Sequence, residues 1–125
     1  MADLLFRFIM FEIKIISSPV KLPEIKTIAE QQFGMMVKAV VDLERKIMSI
    51  GGELHADEEA AMIANGSKQE DLWGINIYPD QSGEGRIEFD SMINIRPYLG
   101  NRSRNVENIA IQKKIIEIVN QLISI

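Results

Sequence analysis

Hydrophobic and polar positions alternate near the start of the chain in a way that is typical of a half-buried β-strand. Phe11, Ile13 and Ile15 share one side of residues 11–17, and Pro19 follows them. Because proline has no backbone N–H to offer to a sheet, the strand is expected to end before it. The pattern therefore predicts a first strand over residues 11–17.

The apolar spacing changes to steps of three and four between Ile25 and Ile50, which predicts one long helix. Pro23 suits the first turn of this helix, and Gly51 supplies its stop. Gly34 is the expected position of a bend. The second half of the segment is apolar on more than one side, which indicates cover by a sheet and by a second subunit. We therefore expect a homo-dimer or a higher homo-oligomer.

Residues 53–65 fit two structures. They contain good helix formers, but as a strand they would align His55, Asp57 and Glu59 on one face. Glycine-containing turns border the segment at both ends, and on that ground we predict a strand. Under the helical alternative, the alignment of the three side chains is lost.

Two further strands are predicted at residues 72–78 and 86–96. The polar, glycine-containing segment 80–85 between them is typical of a hairpin loop. Alternation in the second strand directs isoleucines and Phe89 toward a core and polar residues outward. Asn105 is the expected N-cap of a last helix, whose apolar face is broad.

The predicted order is therefore strand, helix, three strands and helix. This order predicts an α+β fold, a two-layer sandwich in which a mostly antiparallel sheet packs against two helices. No repeat or linker interrupts residues 11–125, so we expect a single domain there. Residues 1–10 lack the basic leader of a signal peptide, and we expect them to form a loosely ordered N-terminal extension.

Composition excludes several classes of function. The chain has no Cys, which rules out disulfides, thiolate metal sites and cysteine nucleophiles and is compatible with a cytoplasmic protein. Its net charge of -4 argues against general nucleic-acid binding, which needs an excess of Lys and Arg. Although 46% of the residues are hydrophobic, no run approaches the ~20 apolar residues of a membrane span.

Four short motifs carry a resemblance that covers the chain from about Phe11 onward. They are LHAD at residues 54–57, DLWG at 71–74, SMINIRP at 91–97 and GNRS at 100–103. With these motifs the chain resembles a small, uncharacterised bacterial protein family of unknown function. The resemblance implies a cytosolic α+β domain, but it brings no activity, substrate or catalytic residue.

The outward face of the predicted strand 86–96 is the first candidate site. Glu88, Asp90, Asn94 and Arg96 would lie side by side there, and Asn76 of the neighbouring strand would join them. In one interpretation Arg96 binds an anion, Asn94 orients it and Asp90 acts as acid or base. In the other, the face is solvated and carries only cross-strand ion pairs.

The segment from Tyr98 to Arg104 is the second candidate site. It leads into the N-terminus of the last helix, where free N–H groups and the helix dipole favour anions. Asn101, Arg102 and Arg104 would bind a phosphate or carboxylate group there. The alternative is that the asparagine and serine side chains only cap the helix and the arginines pair with acidic residues.

A third pattern, His55, Asp57 and Glu59, offers an imidazole and two carboxylates to a metal ion. Such one-residue spacing is weak evidence, because consecutive ligands on one strand diverge too far to share an ion. A single His beside acidic residues more often hydrogen-bonds to them. We therefore expect no metal site, with these three residues as the only weak candidates.

No GxGxxG, Walker, HExxH, CxxC or GxSxG motif occurs, so no cofactor is expected. Two hypotheses remain. The first is a non-enzymatic, homo-oligomeric module that binds a partner protein or a small anionic ligand. The second is a small enzyme acting on a phosphorylated or carboxylated substrate. In that enzyme Asp90 or His55 would carry the proton, and Arg96 and Arg102 would hold the anion.

Overall fold

Residues 11–125 are described by a computed structural model, and the extension predicted at residues 1–10 lies outside them. The described helices are α1 (Leu22–Gln31), α2 (His55–Ala64) and α3 (Ile109–Leu122). The described strands are β1 (Lys14–Ile16), β2 (Val20–Lys21), β3 (Val37–Asp42), β4 (Ile47–Ile50), β5 (Leu72–Ile77), β6 (Ile87–Glu88) and β7 (Ile123–Ser124).

The main sheet has the strand order β1-β4-β3-β5-β6, and every neighbouring pair in it is antiparallel. The short strands β2 and β7 pair in parallel and tie the start of the domain to its C-terminal end. The predicted α+β class and the mostly antiparallel sheet are therefore confirmed.

The two faces of the sheet are covered by different helices. Val37, Ala39 and Val41 of the central strand β3 join the larger apolar core with α1 and α3. The intervening Val40 packs in a second, smaller core with Met62 of α2. Since successive side chains of a strand point to opposite faces, α2 lies across the sheet from the other two helices. The prediction of two helices in one layer is wrong.

The prediction of one long helix between Ile25 and Ile50 is also wrong, because the helix ends at Gln31. The second half of this segment forms the hairpin β3–β4, after a turn in which Gly34 has a φ of 90°. A central strand that is covered on both faces is apolar at nearly every position, and this produces the two-sided pattern. The pattern that suggested a second subunit is thus explained within one chain, and the homo-oligomer stays a prediction without this support.

The segment 53–65, predicted as a strand, contains helix α2 instead. Its helix-forming composition prevails over the accidental alternation, and Glu58 and Met62, four residues apart, form its buried face. The strand predicted at 72–78 is confirmed as β5, and the one at 11–17 is confirmed at its C-terminal end as β1.

The strand predicted at 86–96 exists only over Ile87–Glu88. After it the chain leaves the sheet and forms 3-10 turns at Met92–Asn94 and Pro97–Leu99. The last helix begins at Ile109, so its N-cap is Asn108 and not Asn105. Beyond Glu88, side chains of the following segment take the place of β6 beside β5.

Candidate functional site

The outer edge of β5 is completed by side chains where β6 ends. The Asn94 amide accepts from Gly74 N at 2.8 Å and donates to Gly74 O at 2.9 Å, as a backbone peptide of a neighbouring strand would. Arg96 donates to the carbonyl oxygens of Leu72 and Gln69. Two side chains therefore supply the hydrogen bonds that a longer β6 would have made.

Gly74 is required for this close approach. A Cβ placed there would lie 2.5 Å from the Ser91 hydroxyl oxygen and 3.0 Å from a side-chain carbon of Ile93. Any other residue would push the turn Met92–Asn94 away from the sheet. Close packing against Ser91 and Ile93 thus explains why the DLWG motif has a glycine at position 74.

Asn101 holds the loop that follows. Its Nδ2 donates to the carbonyl oxygens of Asn94, Ser103 and Asn105, and its Oδ1 accepts from Glu107 N at 2.9 Å. We call Asn94, Arg96 and Asn101 the edge network; all three are buried. Their amide and guanidinium groups are engaged with backbone, apart from Arg96 Nε, which has no partner in residues 11–125. Ligand binding by these three residues stays a prediction.

The predicted anion site at residues 98–104 already holds a carboxylate of the protein. Glu107 Oε2 accepts from the Ser103 hydroxyl at 2.7 Å and from the backbone nitrogens of Ser103 and Arg102. These hydrogen bonds, the one from the Ser103 side chain first, lower the pKa of Glu107. The side chain of Arg102 is exposed. The attraction of the loop for an anion is thus satisfied from within.

A second set of polar side chains crosses the sheet on the α2 face. Lys38 of β3, Asn76 of β5 and Glu88 of β6 are directly opposite in register, so their side chains share that face. Asn76 Nδ2 donates to Glu88 Oε1 at 2.8 Å and to Asp90 O at 3.3 Å. Asn76 Oδ1 is buried and has no partner in residues 11–125. The two Nδ2 acceptors fix the orientation of the amide, so the unfilled position is an acceptor.

The first residue of α2 contacts β5 beside this row. The His55 ring nitrogen Nε2 lies 2.8 Å from Ile75 O. A carbonyl can only accept, so Nε2 carries the proton and Nδ1 of the neutral ring is an acceptor. Burial lowers the pKa of His55, Lys38 and Arg104 lower it further, and the Ile75 carbonyl and Asp90 oppose them. The ring is therefore favoured in its neutral form.

Glu58 lies one helical turn after His55 and is fully buried. Its Oε2 accepts from Gly52 N at 3.0 Å, and its Oε1 has no partner among the described residues. Burial raises the pKa of Glu58 well above 4.5, although the Gly52 N–H and Lys38 oppose the shift. Burial thus favours the protonated acid, in which form an O–H on Oε1 would be a donor.

We call six residues the polar cluster: Lys38, His55, Glu58, Asn76, Asp90 and Arg104. The last two form an ion pair of 2.5 Å between Arg104 Nε and Asp90 Oδ1, and both act electrostatically on His55. Of the predicted site residues, the structure thus brings His55, Asn76, Asp90 and Arg104 into one region. Asn94, Arg96 and Asn101 lie in the edge network, and Arg102 lies in neither.

Sequence reasoning missed Lys38 and Glu58. Lys38 is the one charged residue in a run of apolar positions from 35 to 41, which is a usable signal once that run is assigned to a strand. Glu58 was hidden by the assignment of its segment to a strand. The alignment of the weak metal candidates His55, Asp57 and Glu59 is lost for the same reason, since helix α2 turns Asp57 away from the other two. Within residues 11–125, no group of three His, Asp or Glu side chains is arranged to hold a metal ion.

No helix in residues 11–125 is long and apolar enough to cross a membrane.

Comparison with known proteins gives one match. No curated protein and no solved structure matches the chain. A family model described as "Protein of unknown function (DUF5674)" matches residues 14–122, which is most of the chain. The chain therefore belongs to the DUF5674 family, whose function is unknown.

Proposed function

We propose that the protein is a binding module for a small anionic ligand and that the polar cluster is its site. The observation that carries the proposal is a pair of buried polar atoms, Asn76 Oδ1 and Glu58 Oε1, without partners in residues 11–125. A buried polar group without a partner costs about 1–3 kcal/mol. Such a cost is tolerated where a ligand supplies the missing hydrogen bond.

The charges of the cluster favour an anion. The Lys38 ammonium lies 5.1 Å from the centre of the Phe33 ring and forms no ion pair with a described carboxylate. The N-cap residue of α2, Leu54, makes no side-chain cap, and the backbone N–H groups of Asp57 and Glu58 donate to Leu54 O, so the helix contributes only the partial positive charge of its N-terminus. In its protonated form, which burial favours, Glu58 adds a donor. Asn76 and His55 Nδ1 are acceptors, so the ligand also needs an O–H or N–H group.

A small hydroxycarboxylate satisfies both requirements, and two matched probes test them. L-malate and succinate differ by one hydroxyl group. We expect malate to raise the melting temperature of the protein more than succinate does, because only malate offers a donor to Asn76. Titration calorimetry of both compounds gives the affinities.

Two variants connect the effect to the cluster. Lys38→Met should lower the affinity for both compounds, and Asn76→Ala should remove the advantage of malate over succinate. Lys113→Met, on an exposed position of α3, is the matched control and should bind as the wild type does. The proposal fails if neither compound binds at a ligand concentration of about tenfold the Kd of a weak site, for which Kd is about 1 mM. It also fails if Lys38→Met binds both compounds as tightly as the control does.

A second candidate is an enzyme acting on a carboxylated substrate, with His55 as proton carrier. The supporting observation is the Nε2 contact with Ile75 O, which leaves Nδ1 of a neutral imidazole as a base. Glu58 is a buried acid one helical turn away. Proton NMR of malate in D₂O distinguishes the candidates: exchange of a carbon-bound proton, or conversion, requires catalysis and should be lost in His55→Gln. A spectrum that stays unchanged while malate binds favours the binding module.

A further inference from the structure

A groove lies on the opposite side of the sheet from the polar cluster. It has a volume of about 610 Å³, within the range of small-molecule sites. One wall is formed by the turn Gly83–Arg86 and the edge strand β6, and the other by α3. The groove is open because β6 is only two residues long and is the last strand of its sheet. Its lining includes Arg86, Ile87, Phe89, Gln112, Ile116 and Asn120.

The lining combines an apolar floor with one cation, Arg86, and one carboxylate, Glu84, at its edge. Ile87 and Phe89 pack on the larger core and also face the groove, and Ile116 of α3 is 37% exposed there. Arg86 Nε donates to Gln81 O at 2.9 Å, which orients the guanidinium. Its two Nη groups have no acceptor in residues 11–125, and Glu84, two residues away, forms no ion pair with it. An oriented guanidinium with two free N–H groups matches a carboxylate in its fork geometry.

We infer that this groove is a binding site for a small molecule with an apolar or aromatic body and a carboxylate group. The body lies on Phe89 and Ile116, and the carboxylate accepts from Arg86. The amides of Gln112 and Asn120 border the body. Gln112 Nε2 already donates to Val106 O at 2.7 Å, which leaves its Oε1 toward polar substituents. The inference does not depend on the function proposed for the polar cluster.

The probes are 4-phenylbutyrate and 4-phenylbutanol, which share a body and differ in the carboxylate. In ¹H–¹⁵N NMR titrations of the full chain, both should shift the backbone amides of Ile87, Phe89 and Ile116. The carboxylate should bind about tenfold more tightly, since a charge-assisted hydrogen bond is retained only by that compound. Shifts confined to other residues, including the polar cluster, overturn the inference.

Variants separate the two parts of the site. Arg86→Gln should lower the affinity for 4-phenylbutyrate about tenfold, to that of the alcohol, with the alcohol unaffected; Arg102→Gln, another exposed arginine, is the control. Ile116→Asp should abolish binding of both probes, whereas Ile109→Asp, on the same helix but outside the groove, should not. Dispersed spectra confirm folding of each variant. An Arg86→Gln protein that keeps the preference for the carboxylate, or an Ile116→Asp protein that binds normally, contradicts the inference.

Discussion

The edge network and the polar cluster are both polar regions beside β5, but their hydrogen bonding differs. In the edge network, the amides of Asn94 and Asn101 bond at both ends to the protein backbone, and Arg96 Nε is the one side-chain nitrogen of these three residues without a partner in residues 11–125. In the polar cluster, Asn76 Oδ1 and Glu58 Oε1 have no partner in the part of the chain that the structure describes. Residue type does not distinguish the two regions, since each contains asparagine and arginine.

The difference separates structural polar residues from candidates for binding. A polar side chain that replaces a missing strand stabilises the fold, because it satisfies backbone groups that would otherwise be buried without partners. A polar side chain with an unfilled buried atom lowers stability until something binds to it. Substitutions should therefore destabilise the edge network and be tolerated, or even be stabilising, in the polar cluster.

The largest effect is expected at Asn94. Asn94→Ala removes both hydrogen bonds to Gly74 and a third from Nδ2 to Arg104 O. It leaves the N–H and C=O of a buried strand without partners, which should lower the free energy of unfolding by about 3 kcal/mol. Urea denaturation measures this loss. Asn105→Ala, at an exposed position of the same loop, should cost less than about 0.5 kcal/mol; equal losses in both variants contradict a special role of Asn94.

Arg96 should show the next largest effect. Arg96→Met keeps an apolar stem over the Trp73 ring, whose centre is 4.5 Å from the guanidinium carbon, but removes the donors to Leu72 O and Gln69 O. We expect a loss of about 2 kcal/mol in the free energy of unfolding and a change in tryptophan fluorescence. Arg102→Met is the exposed control. A neutral result at Arg96 means that water replaces its donors, and the edge network is then smaller than proposed.

The fold class could be predicted from the sequence, and most element boundaries could not. Strands β1 and β5 follow from alternation and from Pro19 and Pro79, which act locally. The helix from Ile25 to Ile50 was wrong because period alone does not distinguish an amphipathic helix from a strand buried on both faces. The cover that makes β3 apolar on both sides comes from α2 and α3, which are distant in sequence.

The site could be predicted in part. The polar residues of 88–104 were recognised as a group, but their separation into two regions depends on where β6 ends. Asn94 and Arg96 take the place of a strand at β5, a role that no spacing of residues indicates. Glu58 could have been identified only through the helical alternative for 53–65, in which it lies on the same face as Met62.

A smaller effect is expected at Glu58, where substitution should raise the free energy of unfolding instead of lowering it. Because burial raises the pKa of Glu58, the folded state binds a proton more tightly than the unfolded state does. This stability is fully present below the ordinary pKa of 4.5 and is lost as pH rises through the folded-state pKa. Glu58→Gln keeps an acceptor for Gly52 N and does not ionise. Relative to the variant, the wild type should lose up to about 1.4 kcal/mol per pH unit between pH 4.5 and the folded-state pKa.

Thermal melts between pH 4 and pH 8 measure the effect at Glu58. The melting-temperature difference between Glu58→Gln and the wild type should increase with pH, whereas Glu117→Gln, exposed on α3, should show no such trend. His55 acts in the opposite direction: its lowered pKa means that stability is lost as pH falls below 6.5. The single variant is therefore needed to isolate Glu58. A constant difference across the range would mean that folding does not raise the pKa of Glu58.

The smallest effect is expected at the ion pair of Arg104 and Asp90, whose side chains are 53% and 44% exposed. Arg104→Gln should cost only about 0.5 kcal/mol, because solvent and salt screen an exposed pair. The loss should decrease further in 1 M NaCl, which unfolding curves at two salt concentrations would show. The backbone carbonyl of Arg104 still accepts from Asn94 in this variant, so the edge network is retained. A loss as large as that of Asn94→Ala would mean that the pair couples the two regions, which would then have to be treated as one.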